Sequence, residues 1–167
     1  MKQVADLLEN VMEQEEDTQK GKFLTFSLGN EDYGLEIKHV TEIIGMQTIT
    51  GIPEQPEYIR GIINLRGKII PVVDVRLKFR KEFREYNDRT CVIVVDIKDI
   101  SVGLIVDHVA EVLSIPEDDI VPPPDTKTGF HNRYIRGIGK VENQVKLLLD
   151  CSRLLNDEEL EMLSETM

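Results

Sequence analysis

The sequence predicts a mainly β protein of two small barrels, with short helices and a helical segment at each end. Three observations carry this: most of the chain is spanned by an internal repeat, apolar residues alternate in short runs, and Gly, Asn and Asp punctuate those runs. The chain has 167 residues, of which 41% are hydrophobic and 31% charged, enough apolar material for a folded core. With no Trp, five Phe and four Tyr, that core must be largely aliphatic.

Gly34-Leu-Glu-Ile-Lys-His-Val-Thr-Glu-Ile-Ile44 aligns with Gly103-Leu-Ile-Val-Asp-His-Val-Ala-Glu-Val-Leu113, an offset of 69 with five of eleven positions identical. Tyr58-Ile-Arg-Gly-Ile62 recurs as Tyr134-Ile-Arg-Gly-Ile138 at an offset of 76, and Pro71-Val-Val-Asp74 matches Leu147-Leu-Leu-Asp150 at the same offset. The change of offset places a seven-residue insertion between Pro122 and Tyr134, in a stretch with the composition of a surface loop. One unit of this size is marginal alone, so two copies sharing a core, with or without exchanged strands, are expected. The organisation follows: an acidic N-terminal helix over 1–19, a first barrel over 20–88, a second over 89–155 with its insertion at about 122–133, and a C-terminal helix over 156–167.

Along the chain, Val4, Leu7, Leu8, Val11 and Met12 form one helical stripe. Leu24, Phe26 and Leu28 alternate in a strand, Leu28–Tyr33 supplies turn residues, and Tyr33, Leu35 and Ile37 return. Val40, Ile43 and Ile44 change to a three-and-four spacing, which predicts a helical turn, and Val109, Val112 and Leu113 repeat it. Strands are predicted over 59–65, 68–74, 135–141 and 144–150, with Pro71 marking its strand as an edge or a bulge. Gly61, Gly67, Gly103 and Gly137 suit bends in tightly curved sheets. Asn156 and Asp157 can cap a last helix with Leu160 and Leu163 inward.

The net charge is −11, but residues 21–149 hold 19 acids and 17 bases, so the acidity lies in the tails. That balance lacks the basic footprint of a nucleic-acid binder. No window approaches the roughly 20 apolar residues of a membrane span, and the acidic segment Met1–Asp17 has no signal-peptide core. Arg76, Lys78 and Arg80 alternate with Val75, Leu77 and Phe79, which in a strand makes a solvated charged face. Cys91 and Cys151 sit in apolar runs as small buried hydrophobes, and His39, His108 and His131 are too scattered for a metal site, so no metal or cofactor is expected.

Nucleotide-binding and hydrolase signatures are missing. His39 with Glu42 and His108 with Glu111 could meet on helical turns as acid–base pairs, but both belong to the repeat, which favours a role in the fold. Asp74 and Asp150 recur at matching strand ends and read as turn residues. Arg66, in Asn64-Leu-Arg-Gly67, faces Glu142 across the repeat, so symmetry does not explain it, and Glu42 is a plausible carboxylate partner.

The runs Tyr33–Ile44 and Tyr58–Arg76, with Asn64-Leu-Arg-Gly67 and Pro71-Val-Val-Asp74 at this spacing and Asn87-Asp88 before Cys91, closely resemble the CheW-like chemotaxis coupling family over about residues 20–163. The resemblance implies two five-stranded, SH3-like β-barrel subdomains around a shared core, no enzymatic activity and no cofactor. It implies a cytoplasmic adaptor joining chemoreceptor tips to the regulatory domain of the histidine kinase CheA, with self-association in arrays at the inner face of the membrane. By position, Val40, Glu42, Ile43, Asn64, Arg66 and Val112 become partner-binding candidates, with Glu42 and Arg66 paired and Val40 and Val112 toward the receptor. Competing readings are the coupling domain of a larger signalling protein, a small hydrolase using the His–Glu pairs, and a nucleic-acid-binding barrel.

Overall fold

The structure is a computed structural model that describes residues 20–123 and 133–166. The predicted N-terminal stripe and most of the predicted insertion, with His131, lie outside the described residues. Eleven strands run in chain order: β1 (Lys22–Leu28), β2 (Glu31–Glu36), β3 (Val40–Gly45), β4 (Ile59–Leu65), β5 (Lys68–Asp74), β6 (Cys91–Ile97), β7 (Ile100–Val106), β8 (His108–Ser114), β9 (Ile120–Val121), β10 (Ile135–Val141) and β11 (Gln144–Leu149). Two helices accompany them, α1 (Val75–Lys78) and α2 (Asp157–Thr166).

The strands form two sheets, a six-stranded one in the order β8-β1-β2-β11-β10-β9 and a five-stranded one in the order β3-β6-β7-β5-β4. Each sheet draws strands from both copies of the repeat. The hairpin β1–β2 lies with β8–β11, and the hairpin β6–β7 lies with β3–β5. Neighbours are antiparallel except at two seams, β2 with β11 and β5 with β7, which are parallel. Among the described residues neither sheet closes on itself by strand pairing; β8 and β9 end one, β3 and β4 the other.

Side-chain alternation sorts the core. In β6, Cys91, Ile93, Val95 and Ile97 enter a large cluster between the sheets, while Val92 and Val94 point into a smaller one on the far face. The large cluster takes Leu24, Phe26, Leu28 and Leu35 from one sheet and Leu104 and Val106 from the other. A third cluster gathers Phe23, Ile115 and Leu148. Complete burial of each such side chain contributes about 1.5–3 kcal/mol. Gly103 is not at a turn. It lies within β7 opposite Val72 at the parallel seam, where a Cβ would stand 2.8 Å from Val92 Cγ1 and 2.9 Å from Val72 Cγ1.

Four features differ from the sequence reading. Residues 40–44 and 109–113 are strand, not helical turn. In both β3 and β8 one extra residue, Thr41 or Ala110, is bulged out of register, so buried residues recur three apart as they would on a helix. As residues of a strand, His108 and Glu111 are about 10 Å apart along the chain. His39 ends a 3-10 turn and Glu42 lies in β3, so neither His–Glu pair shares one helical turn. Pro71 is in an interior strand. The parallel seam of β5 with β7 begins only at Val72, so the missing N–H is not needed there, and the bulge falls on β4 instead. Residues 75–78 are a helical turn, because the Asp74 carboxylate accepts the Leu77 N–H and caps it.

That turn also removes Arg76 and Lys78 from the solvated face expected of them. Lys78 Nζ lies 2.7 Å from Glu159 Oε2, with both side chains largely buried, and 4.1 Å from the Tyr58 ring centroid; the Tyr58 hydroxyl donates to the same carboxylate. The pair ties α2 to the core, into which Leu160 and Leu163 project. Asn156 Oδ1 accepts the Glu159 N–H at 2.7 Å, and Glu159 Oε1 accepts the Asn156 N–H at 3.0 Å, a reciprocal cap. Burial alone would raise the Glu159 pKa; the Asn156 N–H, Lys78 and Tyr58 outweigh it and hold the carboxyl below its ordinary range.

Lys78→Met should therefore cost about 3 kcal/mol in urea unfolding at pH 7, with Lys78→Met/Glu159→Leu costing less, because only the single change strands a buried charge. The Glu159 contribution is complete above the unfolded carboxyl pKa of about 4.3 and is lost as pH falls through the lower folded value. Glu159→Gln should flatten that acid limb. Gly61 has φ +144°, and a Cβ there would lie 2.1 Å from the Thr50 carbonyl oxygen, whereas one at Gly51 meets nothing within 4 Å. Gly61→Ala should thus destabilise by about 2 kcal/mol or more and Gly51→Ala by much less.

Candidate functional site

The β4–β5 hairpin is closed by two residues with positive φ, Arg66 at 53° and Gly67 at 89°, the backbone of a tight turn matched to strand twist. Asn64 Oδ1 accepts the Gly67 N–H at 2.8 Å and fixes the turn. From it Arg66 extends to Glu42, with Nη2 2.5 Å from Oε2. Glu42 belongs to β3 and Arg66 to the β4–β5 turn, so the ion pair joins the two outer ends of the five-stranded sheet. Hydrogen bonding and the charge of Glu42 raise the Arg66 pKa further above its ordinary value. Beside the turn, Lys68 Nζ donates to Ser101 Oγ at 2.8 Å and Ser101 donates to Asp96 at 3.1 Å.

The structure thus brings Glu42, Asn64, Arg66 and Gly67 together on one exposed edge. It does not bring the apolar candidates there. Val40 and Ile43 are buried in the core between the sheets, and Val112 is half-buried against it. Gly61 and Gly137 lie at the bulges of β4 and β10.

Two apolar residues that sequence reasoning did not select stand beside the turns. Ile69 is 40% exposed next to the β4–β5 turn, and Val145 is 54% exposed next to the β10–β11 turn. They are 76 residues apart, the offset of the repeat, and so are Arg66 and Glu142, both with positive φ. Applying that offset to exposed strand ends would have found them. Each repeat therefore ends in the same hairpin tip, an aliphatic side chain beside a charge, basic in one copy and acidic in the other.

The chain matches the model of the CheW-like domain over residues 22–159. It belongs to the CheW family. The chemotaxis protein CheW of Klebsiella aerogenes is 39% identical over 139 residues, covering 83% of this chain and 84% of that protein. The CheW of Helicobacter pylori is 32% identical over 162 residues, covering 93% and 98%. Among solved structures, the scaffolding protein TtCheW from Thermoanaerobacter tengcongensis superposes with a TM-score of 0.77 at 41% identity, covering 83% of this chain and 96% of that one. Membership makes the chain a chemotaxis coupling adaptor of mainly β architecture. No helix among the described residues is long and apolar enough to cross a membrane.

Because the Arg66–Glu42 pair is exposed on the arginine side, it contributes little to folding. Arg66→Ala should shift the thermal midpoint by no more than about 2 °C, read by circular dichroism.

Proposed function

We propose that the protein is a non-enzymatic adaptor that holds the cytoplasmic tips of chemoreceptors against the regulatory domain of the histidine kinase CheA, within arrays at the inner face of the membrane. The observation that carries the reading is the pair of quasi-equivalent hairpin tips, Arg66 with Ile69 and Glu142 with Val145. A frame with two like faces can hold two related partners at once, and opposite charges at equivalent points let each face reject the wrong one. Ile69 and Val145 supply apolar contact area, and the Glu42 partner presets the Arg66 side chain. Val40, Ile43 and Val112 act by shaping the strands that carry the receptor-facing groove. Each sheet, with the cluster on its far face, is read as an SH3-like half, and an ion pair between the outer ends of the five-stranded sheet favours that curvature. Copies of the chain associate through the same two tips where the kinase domain is absent.

Calorimetric titration with the isolated kinase regulatory domain, and separately with a receptor-tip fragment, tests this. Saturable one-to-one binding to both at separate sites is expected. Arg66→Ala should weaken binding to at least one of them by roughly tenfold with the fold unchanged, and Val145→Asp should weaken the kinase domain without moving the Arg66 effect. Binding to neither partner, or unchanged binding of both by Arg66→Ala, overturns the respective part of the reading.

A further inference from the structure

Away from both hairpin tips, a second cluster of charges breaks the repeat. At the offset of 76 the counterpart of Arg76 is Ser152, and at 69 the counterpart of Asp107 is Lys38. Arg76 and Asp107 are largely buried, and Asp107 Oδ2 accepts from Arg76 Nη1 at 2.7 Å, the Gly29 N–H at 2.8 Å and Arg84 Nη1 at 3.3 Å. Arg76 Nε donates to the Glu82 carbonyl at 3.0 Å. The cluster forms one wall of a cavity of about 300 Å³ between the β1–β2 turn, α1, the segment 84–90 and the start of β8. Arg89 and His108 also line it.

Formal charge in the cavity balances, with Arg76, Arg84 and Arg89 against Asp74, Glu85 and Asp107, but the hydrogen-bonding capacity does not. Both Asp74 oxygens are taken, one by the Leu77 N–H and one by the Tyr86 hydroxyl. Asp107 is shared between two guanidinium groups on a single oxygen, which leaves Arg84 only a long contact. The Arg89 guanidinium makes no ion pair among the described residues. Asp107 Oδ1 stays as an acceptor beside Arg76 and Arg84, and the cationic or imidazole donors of the lining that hold no carboxylate partner among the described residues are those of Arg89 and His108, which come from two segments. Glu85 is the one acid of the lining that is exposed and holds no salt bridge there, and it can turn to solvent.

We propose that this cavity binds a small oxyanion, a phosphate or a carboxylate, gripped by Arg84, Arg89 and the His108 imidazole. The fork of a guanidinium matches the paired oxygens of either group, and a third donor from another segment, at the start of β8, fixes its orientation. A volume of 300 Å³ is at the small end of ligand pockets and excludes large molecules. Occupancy would pin the segment joining α1 to β6 onto the residue at which the chain leaves the five-stranded sheet for the six-stranded one, linking both sheets through one ligand.

The test is a titration of the full chain followed by the His108 ring resonances, with sodium phosphate and sodium acetate in separate arms at constant ionic strength. Burial, then Arg89, hold the His108 pKa below its ordinary value. A bound anion favours the imidazolium, so the His108 titration midpoint should move up, saturating with a Kd of about 1 mM or tighter, while His39 serves as the unmoved reference. A response to phosphate alone identifies a phosphate site, and a response to acetate a carboxylate site. Arg89→Gln, at an exposed position that leaves the fold intact, should weaken the response at least tenfold. No saturable shift up to about twentyfold that Kd in either arm, or an equal shift in Arg89→Gln or at His39, overturns the proposal.

Discussion

Two insertions hold the rest of this structure in place: β1–β2 between β8 and β11, and β6–β7 between β3 and β5. Each stitches a hairpin from one copy of the repeat onto a sheet built mainly from the other. The exchange makes the two copies inseparable. Neither could keep its sheet if the other unfolded, and the largest apolar cluster lies between sheets that both copies complete. A unit of some 70 residues buries too little surface to be secure alone, and sharing a core is the physical remedy. Gly34 and Gly103 fit the same constraint. Each faces a seam at which Leu148 or Val72 comes as close as 2.8 or 2.9 Å to the place a Cβ would occupy.

On this frame the chain uses local capping to turn corners. Asp74 caps α1 and Asp150 caps the short 3-10 turn at Cys151–Arg153, so both copies leave their last strand in the same way. After that the copies diverge. The first corner presents Lys78 to Glu159 and Arg76 to Asp107, while the second has Ser152 where the first has Arg76. Buried ion pairs contribute little net stability but penalise any arrangement that separates the partners, so they fix where α2 and the segment after α1 sit.

Function in an adaptor lies in differences between like surfaces. The frame supplies two equivalent hairpin tips, and the sequence then marks one with Arg66 and the other with Glu142. The aliphatic neighbours Ile69 and Val145 are exposed at equivalent strand positions beside the two turns. The contact surface proposed above is built on strand ends and a two-residue turn, which makes it stiff.

Much of this could be read in the sequence because it is local. The predicted bounds of β4, β5 and β10 are those observed, the repeat aligned Asp74 with Asp150 as turn residues, and the unmatched charge at Arg66 drew attention to the pair it makes with Glu42. What failed was also local in form but tertiary in cause. A bulge at Thr41 or Ala110 reproduces helical spacing, and only the partner strand reveals that one residue has been pushed out of register. Pro71 signals an edge to anyone who cannot see that its strand meets β7 only from Val72 onward. Arg76, Lys78 and Arg80 alternate as a strand would until the Asp74 carboxylate is seen capping a helical turn. The sequence by itself determined the strands, the two-fold repetition and the chemistry of the turns, since these depend on residues near one another in the chain. Which hairpin joined which sheet, and so which side chains met at Asp107 and Glu159, was decided by burial of a core that neither copy can form alone.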